Sequence, residues 1–187
     1  MARIDPVDLD QLPEPHRQAY EEAMVGRDGP RINIHGTVGH SPSVLVRFVA
    51  LANELRNGTT IDPRLRELAI LVVSRAKGAE YEFGKHANLA LSVGISREQI
   101  DAIETGAVTA DPPQQTDRFD EPSLAVVALA QESVINVRIS DHTWARAAAQ
   151  LDQRQLIELL LHVGMYSMTA HLTEGVQMDI EPWFQRR

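Results

Sequence analysis

Cysteine is absent from the 187 residues, so the chain has no disulfide, no thiolate metal ligand and no sulfur nucleophile, whatever fold it takes. Aromatic residues are scarce at 5%, and Gly and Pro number only 11 and 10. With Ala, Leu, Glu, Gln and Arg plentiful, that composition favours helices over sheets. No uninterrupted apolar run approaches the roughly 20 residues of a membrane helix. The opening stretch MARIDPVDLDQLPEPHRQ lacks the apolar core of a signal peptide, so a cytoplasmic location is expected. Positive charge is also short: 18 Lys plus Arg stand against 26 Asp plus Glu, for a net charge of −8. That sign opposes binding to nucleic acid or to an anionic membrane, and neither partner is expected. What is present is ordinary for one soluble globular domain, 43% apolar and 24% charged residues, enough to build a core.

Helix signals punctuate the chain. Glu14 to Val25 reads as a short helix with Pro15 in its first turn and Gly26, Gly29 and Pro30 ending it. Arg31 to His40 is polar and turn-rich and is expected to be a loop suited to touching a ligand. Ser41-Pro42 and Asp62-Pro63 each pair a capping side chain with proline at the first helical position. The helix from Asp62-Pro63 carries Leu68 to Val73, apolar on nearly every side, and is expected to be central and buried. Further helices follow at Glu80–Val93 and after Ser96, where Gln99 completes a capping box.

Residues 107–121, AVTADPPQQTDRFDE, read as a linker between two helical halves, 13–106 and 122–178, of a single domain spanning 1–187. In the second half, Pro122–Val137, Ser140–Leu151 and Asp152–Thr173 read as helices, with an extended tail around Pro182. Leu65, Glu67, Leu68, Val72 and Ala79 recur 91 residues later as Leu156, Glu158, Leu159, Val163 and Ala170. A duplication into two related halves and the shared period of amphipathic helices explain those matches equally well.

Three ionisable groups stand out. Glu67 lies on a mostly apolar strip with Ile70, Leu71 and Ser74, which fits either a functional carboxylate or one paired with a nearby Arg. Glu82 and His86 are i,i+4 neighbours on the face of their helix opposite Tyr81, Lys85, Asn88 and Ser92. A carboxylate so placed can hold an imidazole in one tautomer for acid/base work, or the two can form a buried salt bridge. Glu158, His162 and Tyr166 form a similar stripe in an otherwise oily helix, facing a pocket or an oligomer interface; His171 lies off it. Glu67, Glu82 and His86 would make a carboxylate-rich metal site with one imidazole, but no HExxH or His-rich spacing completes a ligand set. No metal or cofactor is assigned. There is no GxGxxG, Walker or GxSxG motif.

Arg66-Glu67-Leu68-Ala69-Ile70-Leu71, Ala79-Glu80-Tyr81-Glu82-Phe83-Gly84-Lys85-His86 and Gly94-Ile95-Ser96 together resemble the central signature of the carboxymuconolactone decarboxylase family, whose superfamily includes the AhpD-like alkylhydroperoxidases. The similarity reaches upstream to Asn33–Pro42 and downstream to Leu156–Glu181. Where the peroxidase branch carries its CxxC pair, this chain has Ala79 and Glu82, with His86 at the following histidine position. The thiol peroxidase reaction is therefore chemically closed to it. Phe83 replaces the Trp of the Trp-x-x-His form found in longer relatives.

The resemblance implies an all-α, AhpD-like fold and a homo-oligomer (dimer, trimer or hexamer). It also implies a pocket beside Glu67 and His86 and a cofactor-independent lyase acting on a small carboxylated, lactone-like metabolite. In that scheme His86 donates the proton, Glu82 orients it and Glu67 is the second acid/base group, with His40, His162 and Tyr166 lining the substrate pocket. Two alternatives stand beside it: a non-catalytic oligomeric helical protein with a buried Glu/His network, and a metal-dependent activity at Glu67, Glu82 and His86.

Overall fold

The computed structural model describes residues 2–25, 30–110, 113–114 and 118–186. Nine α-helices account for most of these: α1 Glu14–Ala23, α2 Asn33–Val38, α3 Pro42–Asn57, α4 Pro63–Lys77, α5 Glu80–Ser92, α6 Arg97–Glu104, α7 Glu121–Asn136, α8 Asp141–Ala148 and α9 Gln153–Val176. A 3-10 turn, Leu9–Gln11, precedes α1, and Thr109–Ala110 pairs with Pro113–Gln114 in a two-residue antiparallel ladder. The expected all-α class holds.

The helix starts follow from local chemistry. The Asp62 side chain accepts from Arg64 N at 2.7 Å, and Ser96 and Gln99 form the reciprocal capping box. Ser140 and Asp152 cap α8 and α9 by accepting from the backbone N–H of Thr143 and Gln155. Each such bond satisfies one of the orphan donors of a helix start. Ser41 departs from expectation: Pro42 opens α3, but the Ser41 side chain makes no capping bond. At the end of α4, Gly78 takes the left-handed conformation at φ 65°, which a Cβ would disfavour.

The chain forms two compact units, residues 1–59 with 173–184, and residues 60–172 with 185–187. In the larger unit α4 is the centre, and every residue from Leu65 to Ser74 is buried. It packs against α5, α6 and α7, its Leu68 and Leu71 meeting Phe83, Ala87, Ile100, Val127 and Leu159 in one core. Burying a leucine contributes roughly 1.5–3 kcal/mol, so this apolar run fixes the helix that carries Glu67. The smaller unit has its own core of Leu9, Leu12, Tyr20, Leu45 and Val49.

The segment 31–40 corrects the sequence reading. It is not a loop: Asn33–Val38 is helical, with Ile34 to Thr37 buried. No residue beside it caps the helix. Instead Glu181, from the C-terminal tail, accepts the Asn33 backbone N–H at 2.7 Å. A cap supplied from the far end of the chain leaves no local signature. Gly26 and Gly29, expected to end α1, and residues 111–112 and 115–117 of the expected linker lie outside the described residues.

Candidate active site

Helices α4 and α5 together make one acid–imidazole pair. Glu67, 2% exposed on α4, directs Oε2 to His86 Nδ1 on α5 at 2.6 Å. Its other oxygen, Oε1, accepts from Arg66 Nε at 3.2 Å. Burial by itself raises the Glu67 carboxyl. The charge and hydrogen bond of His86, then those of Arg66, outweigh that cost and hold the group below the ordinary carboxylate range. The ionised carboxylate accepts Nδ1–H, which fixes the tautomer and orientation of the ring.

His86 keeps 12% side-chain exposure, so the imidazole is not sealed in. With Nδ1 committed to Glu67, Nε2 has no hydrogen-bond partner among the described residues. The Tyr166 ring on α9 stands edge-to-face against the imidazole, centroids 4.7 Å apart and planes at 84°, and limits how far the imidazole can turn. Donor, orienting acid and aromatic wall come from three helices whose apolar faces share one core.

The sequence pattern assigned the orienting role to Glu82. Glu82 is buried at 3% exposure on α5, but His86 bonds Glu67 and not Glu82. The i,i+4 relation places two Cβ atoms near each other, whereas the imidazole turns toward the facing helix. Arg66, 9% exposed, is the nearby Arg that the sequence offered as a partner for Glu67 without specifying which. Its only signal was a cation inside a run of buried apolar residues.

The remaining candidates make other bonds. His40 is exposed in the smaller unit, where Nε2 meets the Asp5 carbonyl at 2.9 Å. His162 is 1% exposed, and its Nδ1 donates to the Glu158 carbonyl one turn back at 2.7 Å. Glu158 has structural work: Oε2 accepts from Thr60 N, Thr60 Oγ1 and Ile61 N, and Oε1 accepts from Arg154 Nε. Among the described residues no three His, Asp or Glu side chains gather at metal-ligating range, so a metal at Glu67, Glu82 and His86 has no ligand set there. A cavity of about 640 Å³ is lined by Val72, Arg75, Gln131, His142 and Arg146, among others, and by none of the candidate residues.

Comparison with known proteins places this geometry in context. Residues 42–118 match the model of the carboxymuconolactone decarboxylase family. An uncharacterized peroxidase-related protein from Silicibacter sp. TM1040 superposes with a TM-score of 0.78 at 15% identity, covering 100% of this chain and 96% of that one. The alkylhydroperoxidase AhpD core of an uncharacterized peroxidase-related protein from Ralstonia eutropha JMP134 gives 0.77 at 14% identity, covering 97% and 93%. The debrominase Bmp8, in complex with 2,3,4-tribromopyrrole, gives 0.74 at 18% identity, covering 96% and 91%. At these identities the likeness is one of fold. No curated protein matches the sequence.

Proposed function

For a chain whose residues 42–118 match the model of the carboxymuconolactone decarboxylase family, we propose an acid–base enzyme that decarboxylates a small carboxylated, lactone-like metabolite using side chains alone. The observation that carries this reading is the 2.6 Å Glu67–His86 bond, made through Nδ1 so that Nε2 is left for a substrate.

The chemistry needs one mobile proton and a fixed charge. Loss of carbon dioxide from a carboxylate β to a carbonyl leaves its electron pair delocalised into that carbonyl as an enolate. Protonated His86 delivers the Nε2 proton to carbon and ends neutral, still donating Nδ1–H to Glu67. The Glu67 carboxylate, held below its ordinary range, stays ionised throughout, as an orienting acid should. Arg66 keeps Glu67 ionised, and Tyr166 holds the imidazole plane. Glu82, His40 and His162 have no step in this scheme. Among the described residues no three His, Asp or Glu side chains gather to hold a metal.

A second reading has an observation of its own. Glu67 is 2% exposed and both its carboxylate oxygens are taken, by His86 and by Arg66, as they would be if the three formed only a buried ionic network joining α4 and α5. Assaying carbon dioxide release from a panel of carboxylated lactones separates the two. Under the proposed function the native chain turns over at least one of them. His86→Ala then lowers kcat on the order of 10²–10⁴-fold with an unchanged far-ultraviolet spectrum. Absence of turnover across the panel, together with a large loss of stability in His86→Ala, would establish the network reading.

A further inference from the structure

We propose that the cavity walled by α4, α6, α7 and α8 is a second ligand site, which takes a small organic carboxylate with an apolar body and holds its carboxylate on Arg75. The site shares no residue with the acid–base pair and goes beyond that reading.

The cavity lies wholly within the larger unit and measures about 640 Å³, the size of a metabolite pocket. Val72 from α4, Ile103 from α6 and Ala128 from α7 are core residues that give it an apolar base, and the exposed Ile135 adds apolar surface. Such walls accept many apolar groups. The charged lining is more selective.

Arg75 is the cation left over. Its Nε donates to the Glu104 carbonyl at the end of α6, and among the described residues its terminal nitrogens have no partner. The Glu104 carboxylate does not neutralise it, because both oxygens accept from Arg186. Arg146, also on the lining, is held by both carboxylate oxygens of Glu121. Glu132, the acid on the lining, accepts the Ser140 hydroxyl at 3.2 Å. What remains is one guanidinium with two parallel N–H donors, the fork that matches a carboxylate.

The wall beside α8 depends on a strained turn. Val137 has φ 64° and ψ −50°, and the Arg138 N–H donates to the Asn136 carbonyl at 2.7 Å. These define a γ-turn of the rare, strained kind, at a β-branched residue. The turn reverses the chain so that Ser140 returns to Glu132 and opens α8 against the cavity. Val137 is itself exposed, so no buried contact of its side chain offsets the strain. Strained backbone of this kind clusters where it shapes a binding site.

Calorimetric titration of the native chain with cinnamate, cyclohexanecarboxylate and octanoate tests the site, with the neutral amide of each as control. At least one carboxylate is expected to bind, and its amide at least about tenfold more weakly, since the charged hydrogen bonds to Arg75 are lost. Arg75→Gln should weaken that carboxylate by a similar factor and leave the amide unchanged. Ala76→Phe, at an exposed lining position, should fill the cavity and abolish both, with an unchanged far-ultraviolet spectrum. His86→Ala should bind as the native chain does, which separates this site from the acid–base pair. Absence of binding by all three carboxylates would overturn the proposal. So would equal affinity for acid and amide, binding untouched by Arg75→Gln and Ala76→Phe in folded protein, or its loss in His86→Ala.

Discussion

Glu158 Oε2 accepts both the backbone N–H of Thr60, at 2.8 Å, and the Thr60 hydroxyl, at 3.0 Å, across 98 residues of sequence. The same oxygen takes the Ile61 N–H at 3.0 Å, so one carboxylate organises the turn that leads into α4. Its counterpart in the 91-residue recurrence, Glu67, binds an imidazole and a guanidinium instead. Two glutamates at matching places in similar helices thus do different jobs, because different groups face them.

Removing the Glu158 carboxylate strands the donors of Thr60 and Ile61 beside a nearly buried site. Glu158→Ala is expected to lower unfolding free energy by about 1–3 kcal/mol, measured by urea denaturation. Glu158→Gln should recover part of the loss, since an amide oxygen still accepts. Equal stability of the alanine variant and the native protein would contradict this role.

The Glu67 carboxyl lies below its ordinary value because its interactions with His86 and Arg66 outweigh burial. A depressed carboxyl adds stability above its unfolded value, 4.5, and loses it as pH falls through the folded value. The native protein should therefore lose stability on acidification below about pH 4.5, and Glu67→Gln should show a shallower acid slope over that window. Melting temperatures across that range read the difference. Parallel slopes would show that the pair does not couple to folding.

Glu181 caps α2 from the distant tail, accepting the Asn33 N–H. In Glu181→Ala the Asn33 amide should exchange with solvent on the order of tenfold faster, which matches loss of roughly 1 kcal/mol at a helix start. Amides in the core of α4, whose burial is independent of that cap, should keep their protection. Hydrogen exchange followed by mass spectrometry resolves the two regions.

Val137 ends α7 at φ 64°, a region β-branched residues rarely enter, and it is 84% exposed. Val137→Gly relieves the strain without surrendering buried surface. Against the entropy that glycine adds to the unfolded chain, a net gain of up to about 1 kcal/mol is expected. A drop in melting temperature would show that the valine side chain holds the turn.

Much of the scaffold was legible because its signals are local. Asp62-Pro63, Ser96 with Gln99, Ser140 and Asp152 mark helix starts by satisfying N–H groups within three residues of themselves. The unbroken apolar run Leu68 to Val73 announces a helix buried on all sides, which α4 is. The segment Asn33–Val38 was misread as a loop because its polar and glycine residues are poor helix formers, and its capping acid, Glu181, is supplied by the tail. Tertiary burial of Ile34 and His35 overrode propensity there.

The amino-acid order alone determined the helical class, the positions of most helices and, by omitting cysteine, the impossibility of thiol chemistry. It also brought Glu67, Glu82 and His86 forward as the groups worth watching. Tertiary packing alone decided which acid holds the imidazole. The i,i+4 rule describes neighbours on one helix surface, so it pointed to Glu82. The ring instead crosses to α4, where Glu67 is already kept ionised by Arg66. A hydrogen bond between two helices depends on how their faces meet, and no spacing within either helix encodes that meeting.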